Sequence, residues 1–182
     1  MKKLIIIALT ILLTSLAANA QKSNADLNSQ IKNHKIKLTF EGGSSKLMAI
    51  AENFPDSEAK AAKVMAMNFA AGFFYPGDKL QQMPQQIMLT FWVMSKKPQF
   101  AEKHSLTIYS GGEAFEIGDS RYSGKPQQNM EYLNFVISRD VLMKAVSFSD
   151  VQFKLGDSNF AFTKDQLRML ADLLILSDPM SN

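Results

Sequence analysis

The chain has 182 residues, with 20 Lys and Arg against 17 Asp and Glu, two His and no Cys. The lack of Cys excludes a disulfide-stapled scaffold and a cysteine zinc cluster, and a near balance of charge without a basic stripe argues against a nucleic-acid-binding protein. At 46% hydrophobic residues the chain can bury one ordinary apolar core, and its length matches one domain on the usual scale of about 100–200 residues.

Residues 1–20 read as a cleaved secretory signal. Lys2 and Lys3 form a short basic start, the run LIIIALTILLTSLA is apolar, and Ala18 and Ala20 supply the small residues that a signal peptidase reads. The run is shorter than the roughly 20 apolar residues a spanning helix needs. Cleavage after Ala20 leaves 162 residues beginning at Gln21, with 18 basic and 17 acidic side chains. Without Cys there is no site for a lipid anchor, and no later apolar run is long enough to span a bilayer. The expected destination is the periplasm or the outside of a bacterial cell.

Residues 21–34 are polar and lack a sustained period, which predicts a flexible leader with at most a short helical turn. In KIKLTF, Ile36, Leu38 and Phe40 alternate with Lys35, Lys37 and Thr39, the pattern of a half-buried strand. From Lys46 to Ala71 the composition turns to Ala, Met, Lys and Glu. Helix propensity predicts a first helical piece ending near Asn53, ahead of Pro55, and a second helix over 57–71. Gly72 and the YPGD turn close it.

Beyond Gln85 the pattern is β. QIMLTFWVM is apolar on both faces and predicts a central strand covered, at least in part, on both sides. HSLTIYS, EAFEI and MEYLNFVIS follow as strands, with Gly111–Gly112 as a turn. Asp140 opens a short helix through VLMKAV. VQFKL and NFAF form a hairpin, and Thr163 with Gln166 makes a capping box for a closing helix whose Leu167, Leu170 and Leu174 lie at helical spacing. Strands grouped apart from helices and joined by short connections predict an α+β fold: one domain over residues 35–178, a mainly antiparallel sheet with helices on at least one face, and a C-terminal helix.

Two segments carry a Gly-Asp-Ser triplet, FEIGDSRYSG and FKLGDSNFAF. The triplet resembles the nucleophile motif of the GDSL-type serine hydrolases, which would make Ser120 or Ser158 the nucleophile of a hydrolase. That family's histidine arrives late, in an Asp-x-x-His pattern. Here the only histidines, His34 and His104, precede both serines and belong to no such pattern, and strand-like residues follow each triplet where the family has a helix. Gly for positive φ, with Asp and Ser bonding turn backbone, explains the letters better. Both serines are therefore expected in hairpin turns, with Gly118 and Gly156 the sensitive positions. No metal site, calcium loop, phosphate loop or dinucleotide fingerprint is present, so no metal or cofactor is expected.

One face of the expected sheet collects Thr90, Trp92, Met94, Thr107, Tyr109, Tyr122, Tyr132 and Asn134. Aromatics mixed with small polar groups suit a binding surface, and Trp92, Tyr109, Tyr122 and Tyr132 are its candidate residues. The competing and favoured reading covers that face with the helices at 57–71 and 164–176 and places Trp92 in the core. The resulting expectation is an exported, non-enzymatic binding or interaction protein whose partner is a small apolar ligand or an envelope protein. A hydrolase using a Gly-Asp-Ser serine and a structural envelope component are the alternatives.

Overall fold

The computed structural model describes residues 21–51, 53–125 and 129–181; the expected signal segment 1–20 lies outside the described residues. Twelve strands are described: β1 (Lys22–Ser23), β2 (Ile36–Glu41), β3 (Ser44–Ile50), β4 (Ala66–Pro76), β5 (Lys79–Leu80), β6 (Gln86–Met94), β7 (Ser105–Ser110), β8 (Glu113–Asp119), β9 (Arg121–Lys125), β10 (Met130–Ser138), β11 (Gln152–Leu155) and β12 (Ser158–Ala161). Helices are α1 (Asn24–Gln30), α2 (Asp56–Ala61), α3 (Arg139–Val146) and α4 (Lys164–Leu176). The fold is α+β in one domain. A six-stranded sheet runs β2-β3-β4-β6-β10-β9, a four-stranded sheet β12-β11-β7-β8, and β1 pairs with β5; every pairing is antiparallel.

The inner face of the large sheet carries the odd-numbered residues of its central strands. Met67, Phe69, Ala71 and Phe73 of β4, Ile87, Leu89, Phe91 and Val93 of β6, and Leu133, Phe135 and Ile137 of β10 are all buried. Part of this face meets the small sheet across a phenylalanine cluster. Phe91 and Phe153 have ring centroids 5.4 Å apart, Phe69 and Phe162 5.2 Å, and Phe153 and Phe162 4.7 Å, spacings at which aromatic pairs add to the energy of simple burial. The rest is covered by α4, packed on β3 and β4, and by α3, packed on β6, β7 and β10. The capping box of α4 forms as expected: Gln166 N donates to Thr163 Oγ1 at 3.2 Å and Thr163 N donates to Gln166 Oε1 at 2.8 Å.

One expected helix is a strand, and a second is helical only in its first part and strand beyond. The piece expected from Lys46 is β3, and the helix expected over 57–71 is the six-residue α2 followed by β4. A Schellman motif ends α2. Lys63 takes φ +58°, Lys63 N donates to Lys60 O at 3.0 Å and Val64 N donates to Ala59 O at 2.9 Å. The chain beyond it pairs with β3 on one side and β6 on the other, so helix-forming Ala and Met are held as strand by ladder bonds and burial on both flanks.

The segment expected as a mobile leader is tied down. Ser23 and Asp26 form a reciprocal capping box for α1, Leu27 is fully buried, and Asn24 Oδ1 accepts from the Tyr75 hydroxyl at 2.6 Å. One buried leucine at the right helical position is enough to dock a short polar helix.

Candidate functional site

The outer face of the six-stranded sheet has no helix packed on it among the described residues. The apolar side chains that α1 to α4 bury all join the core behind the inner face, and that core excludes Met48 and Ala70 of the outer face even though both are buried. The residues on this face are those of even number in β3, β4, β6 and β10. Register sets them in rows. Asn68, Trp92, Tyr132 and Ser123 form one row, Ala70, Thr90, Asn134 and Arg121 the next, and Met48, Gly72, Met88 and Val136 a third.

The apolar side chains here stand out into solvent: Val136 is 60% exposed, Phe74 57%, Met94 40% and Ile50 39%. Between them the face is flat because its centre is small. Gly72 lies under the Met48 side chain, and a Cβ at Gly72 would collide with Met48 Sδ and the Leu47 carbonyl. The polar residues in the centre are mostly satisfied internally, with Thr90 Oγ1 donating to Asn134 Oδ1 at 2.8 Å. Asn68 Oδ1, beside Trp92, is buried without a partner. Segment 79–86 walls one end, making a groove of about 590 Å³ with Phe74, Met83, Met88 and Val136 in its lining.

Of the four candidate aromatics, the structure brings two together. Trp92 and Tyr132 are register partners on the outer face and half-buried, so the favoured expectation of a covered Trp92 does not hold. The helix expected to help cover it is β4, in the sheet itself, and α4 lies on the opposite face. Tyr122 pairs in register with Leu133 and faces inward; its hydroxyl donates to Glu131 Oε1 at 3.4 Å. Burial and the Glu131 carboxylate push this hydroxyl above its ordinary pKa. Tyr109 lies on the exposed side of the small sheet. Alternation correctly grouped Trp92, Tyr132, Thr90 and Asn134, but it could not say that Tyr109 and Tyr122 belong to other surfaces.

The face has a charge pattern that the sequence reading missed. Lys37 and Lys46 stand on the β2–β3 side, and Arg121 and Lys125 on the β9 edge, with Glu41 the one carboxylate at an outer-face strand position among the described residues. Lys46 Nζ lies 5.3 Å from the centroid of the Phe74 ring and Lys125 Nζ 5.3 Å from that of Tyr132, both within cation–π range. Lys96 and Lys97 join Lys125 around a small recess at the Met94 end.

The first Gly-Asp-Ser triplet is not in a hairpin. β8 pairs with β7 in the small sheet and β9 pairs with β10 in the large one, so Ser120 sits where the chain passes between sheets. Gly118, at φ +93°, belongs to a bulge in β8, where Ile117 is the extra residue between the Leu106–Gly118 and Thr107–Glu116 pairs. Ser120 Oγ is 3.2 Å from His104 Nδ1, and Ser120 N donates to His104 O at 3.1 Å. The His104 ring stacks on Tyr122 at 5.7 Å. Among the described residues no carboxylate bonds His104. The second triplet is in a hairpin, with Gly156 and Asp157 as the two-residue turn and Ser158 pairing with Leu155. His34 lines a separate groove between the α1–β2 connection and α4. No family model, curated protein or solved structure matches the chain.

Proposed function

We propose that the protein is an exported, non-enzymatic binding protein of a bacterial envelope, working through the outer face of the six-stranded sheet. The observation that carries this reading is a sheet face spanning several strands with no helix packed on it among the described residues, on which Phe74 and Val136 are more than half exposed. Apolar side chains exposed together along one groove, as Phe74, Met83 and Val136 are, mark interaction sites in a way that singly scattered ones do not. Methionines at 88 and 94 give the surface side chains that adapt to an occupant. Export rests on the tripartite pattern of residues 1–20.

Trp92 is the single tryptophan of the chain and stands on this face, so it reports on binding. The uncharged apolar dye N-phenyl-1-naphthylamine should bind the native protein and accept energy from Trp92. The double variant Phe74→Ser, Val136→Ser should weaken that transfer while keeping a cooperative unfolding transition. Undiminished transfer in the folded variant would mean that the dye, and by extension an apolar partner, sits elsewhere.

The hydrolase alternative has one observation in its favour, the contact between Ser120 and His104. A serine nucleophile needs a base held in place by a third group, and here the ring is held by stacking on Tyr122. Labelling of the folded protein by a fluorophosphonate probe, abolished by Ser120→Ala, would select that reading.

A further inference from the structure

We propose that the outer face of the six-stranded sheet docks, peripherally and reversibly, on an anionic lipid bilayer. The inference rests on the binding role proposed for that face and adds its occupant. Charge, shape and side-chain type point the same way. Cations stand on both sides of the apolar area, Lys37 and Lys46 on one and Arg121 and Lys125 on the other, and Lys96 and Lys97 extend the second group. Glu41 alone opposes them among the outer-face strand positions described. Exposed apolar side chains, Phe74 and Val136 foremost, between basic edges match acyl chains between anionic headgroups.

Trp92 and Tyr132 are amphipathic aromatics of the kind that settle at the level of lipid headgroups. Phe74 and Val136 are the most exposed apolar side chains of the face and would enter the bilayer. Lys46 over Phe74 and Lys125 over Tyr132 set a cation beside an apolar ring, so ring and charge reach the interface together.

Other occupants fit less well. A second copy, placed face to face by a two-fold axis in the plane of the sheet, sets basic edges against basic edges whether the axis runs along the strands or across them. A small ligand needs walls that bury most of its surface, and among the described residues the face is walled at the end near segment 79–86, with a smaller recess at the Met94 end.

The test uses the folded chain from Gln21 onward and vesicles of two compositions, phosphatidylcholine alone and phosphatidylcholine mixed with phosphatidylglycerol. Co-sedimentation should occur with the anionic vesicles, with Trp92 emission shifted to the blue, and should fade as salt is raised. Lys46→Gln and Lys125→Gln should each weaken binding by roughly fivefold, and Phe74→Ser with Val136→Ser should abolish the emission shift. Equal binding to both compositions, or binding that ignores the lysine variants, overturns the proposal. Failure to bind either vesicle while the neutral dye still takes energy from Trp92 also overturns it and leaves the binding face standing, with a protein or small apolar molecule as occupant. Loss of both signals in the folded protein removes the binding face as well. A concentration-dependent dimer that hides Trp92 from a soluble quencher would replace the bilayer with a second copy.

Discussion

Glu131 Oε1 accepts the backbone N–H of Phe100 at 2.9 Å, while Oε2 of the same carboxylate accepts from Gln99 N at 2.9 Å and Ser95 Oγ at 3.1 Å. One buried side chain of β10 thus holds the connection that leaves β6. Glu131→Ala should leave these donors without partners at a cost of about 3 kcal/mol or more. Tyr122→Phe, which removes only the longer 3.4 Å bond, should cost about 1 kcal/mol or less. Denaturant titration distinguishes the two; equal effects would mean that Glu131 acts through Tyr122 alone.

The two Gly-Asp-Ser glycines should not be equivalent. Gly156 has φ +56°, and a Cβ there would run into the Lys103 carbonyl; Gly118 has φ +93° with open space around the added atom. Gly118→Ala should cost about 1–2 kcal/mol from backbone strain alone, and Gly156→Ala about 2–4 kcal/mol, because the clash is with backbone that cannot step aside. Their serines should differ as well. Ser158→Ala should change stability by about 0.5 kcal/mol or less. Ser120→Ala, which loses a partly buried contact to His104, should cost about 1 kcal/mol. A larger effect at Gly118 than at Gly156 would contradict this account.

The closing helix is a stability element. Thr163→Ala should cost about 1 kcal/mol through loss of its cap. Leu170→Ala should cost about 2–5 kcal/mol, since Leu170 is buried in the core. Both follow from the midpoint of urea unfolding, and a neutral Leu170→Ala would detach α4 from β3 and β4.

Two buried groups should give stability opposite trends in alkali. Burial pushes the Tyr75 hydroxyl above its ordinary value. The folded state then keeps a proton that the unfolded chain gives up near pH 10, so this contribution is present below that pH and is lost above it. Burial pushes the Lys22 ammonium below its ordinary value. The unfolded chain then binds more protons between the lowered value and about pH 10.4, so the cost of burying Lys22 is full at neutral pH and relieved as pH rises through that window. Tyr75→Phe should reduce the alkaline loss, leaving the share that the raised Tyr122 hydroxyl contributes with the same sign. Lys22→Met should remove the opposing gain. Unfolding midpoints followed from neutral pH into alkali check both.

Much of the β architecture was legible because alternation is a strong signal. Leu133, Phe135 and Ile137 against Tyr132, Asn134 and Val136 sort correctly onto two faces, and Thr163 with Gln166 marks the start of α4. The two strands read as helix were hidden by their small residues. Ala70, Ala71 and Gly72 carry little period, and the alternation of Met67, Phe69, Ala71 and Phe73 competes with a stretch of helix formers. Ladder bonds on both sides decided between them, and those are not local. The candidate surface was legible in its aromatic content but not in its openness. Whether Trp92 meets a helix or solvent depends on which face α4 takes, and its leucine stripe says only that it packs on something apolar.

Between Gly118 and Arg121 the chain leaves one sheet and joins the other without an intervening loop. The two layers are therefore sewn together at that corner and cannot slide past one another independently. Any change in curvature of the large sheet when its outer face is occupied would be conducted along this seam into β7 and β11. Slowed amide exchange in those strands, which contribute nothing to the outer face, would then register occupancy from behind.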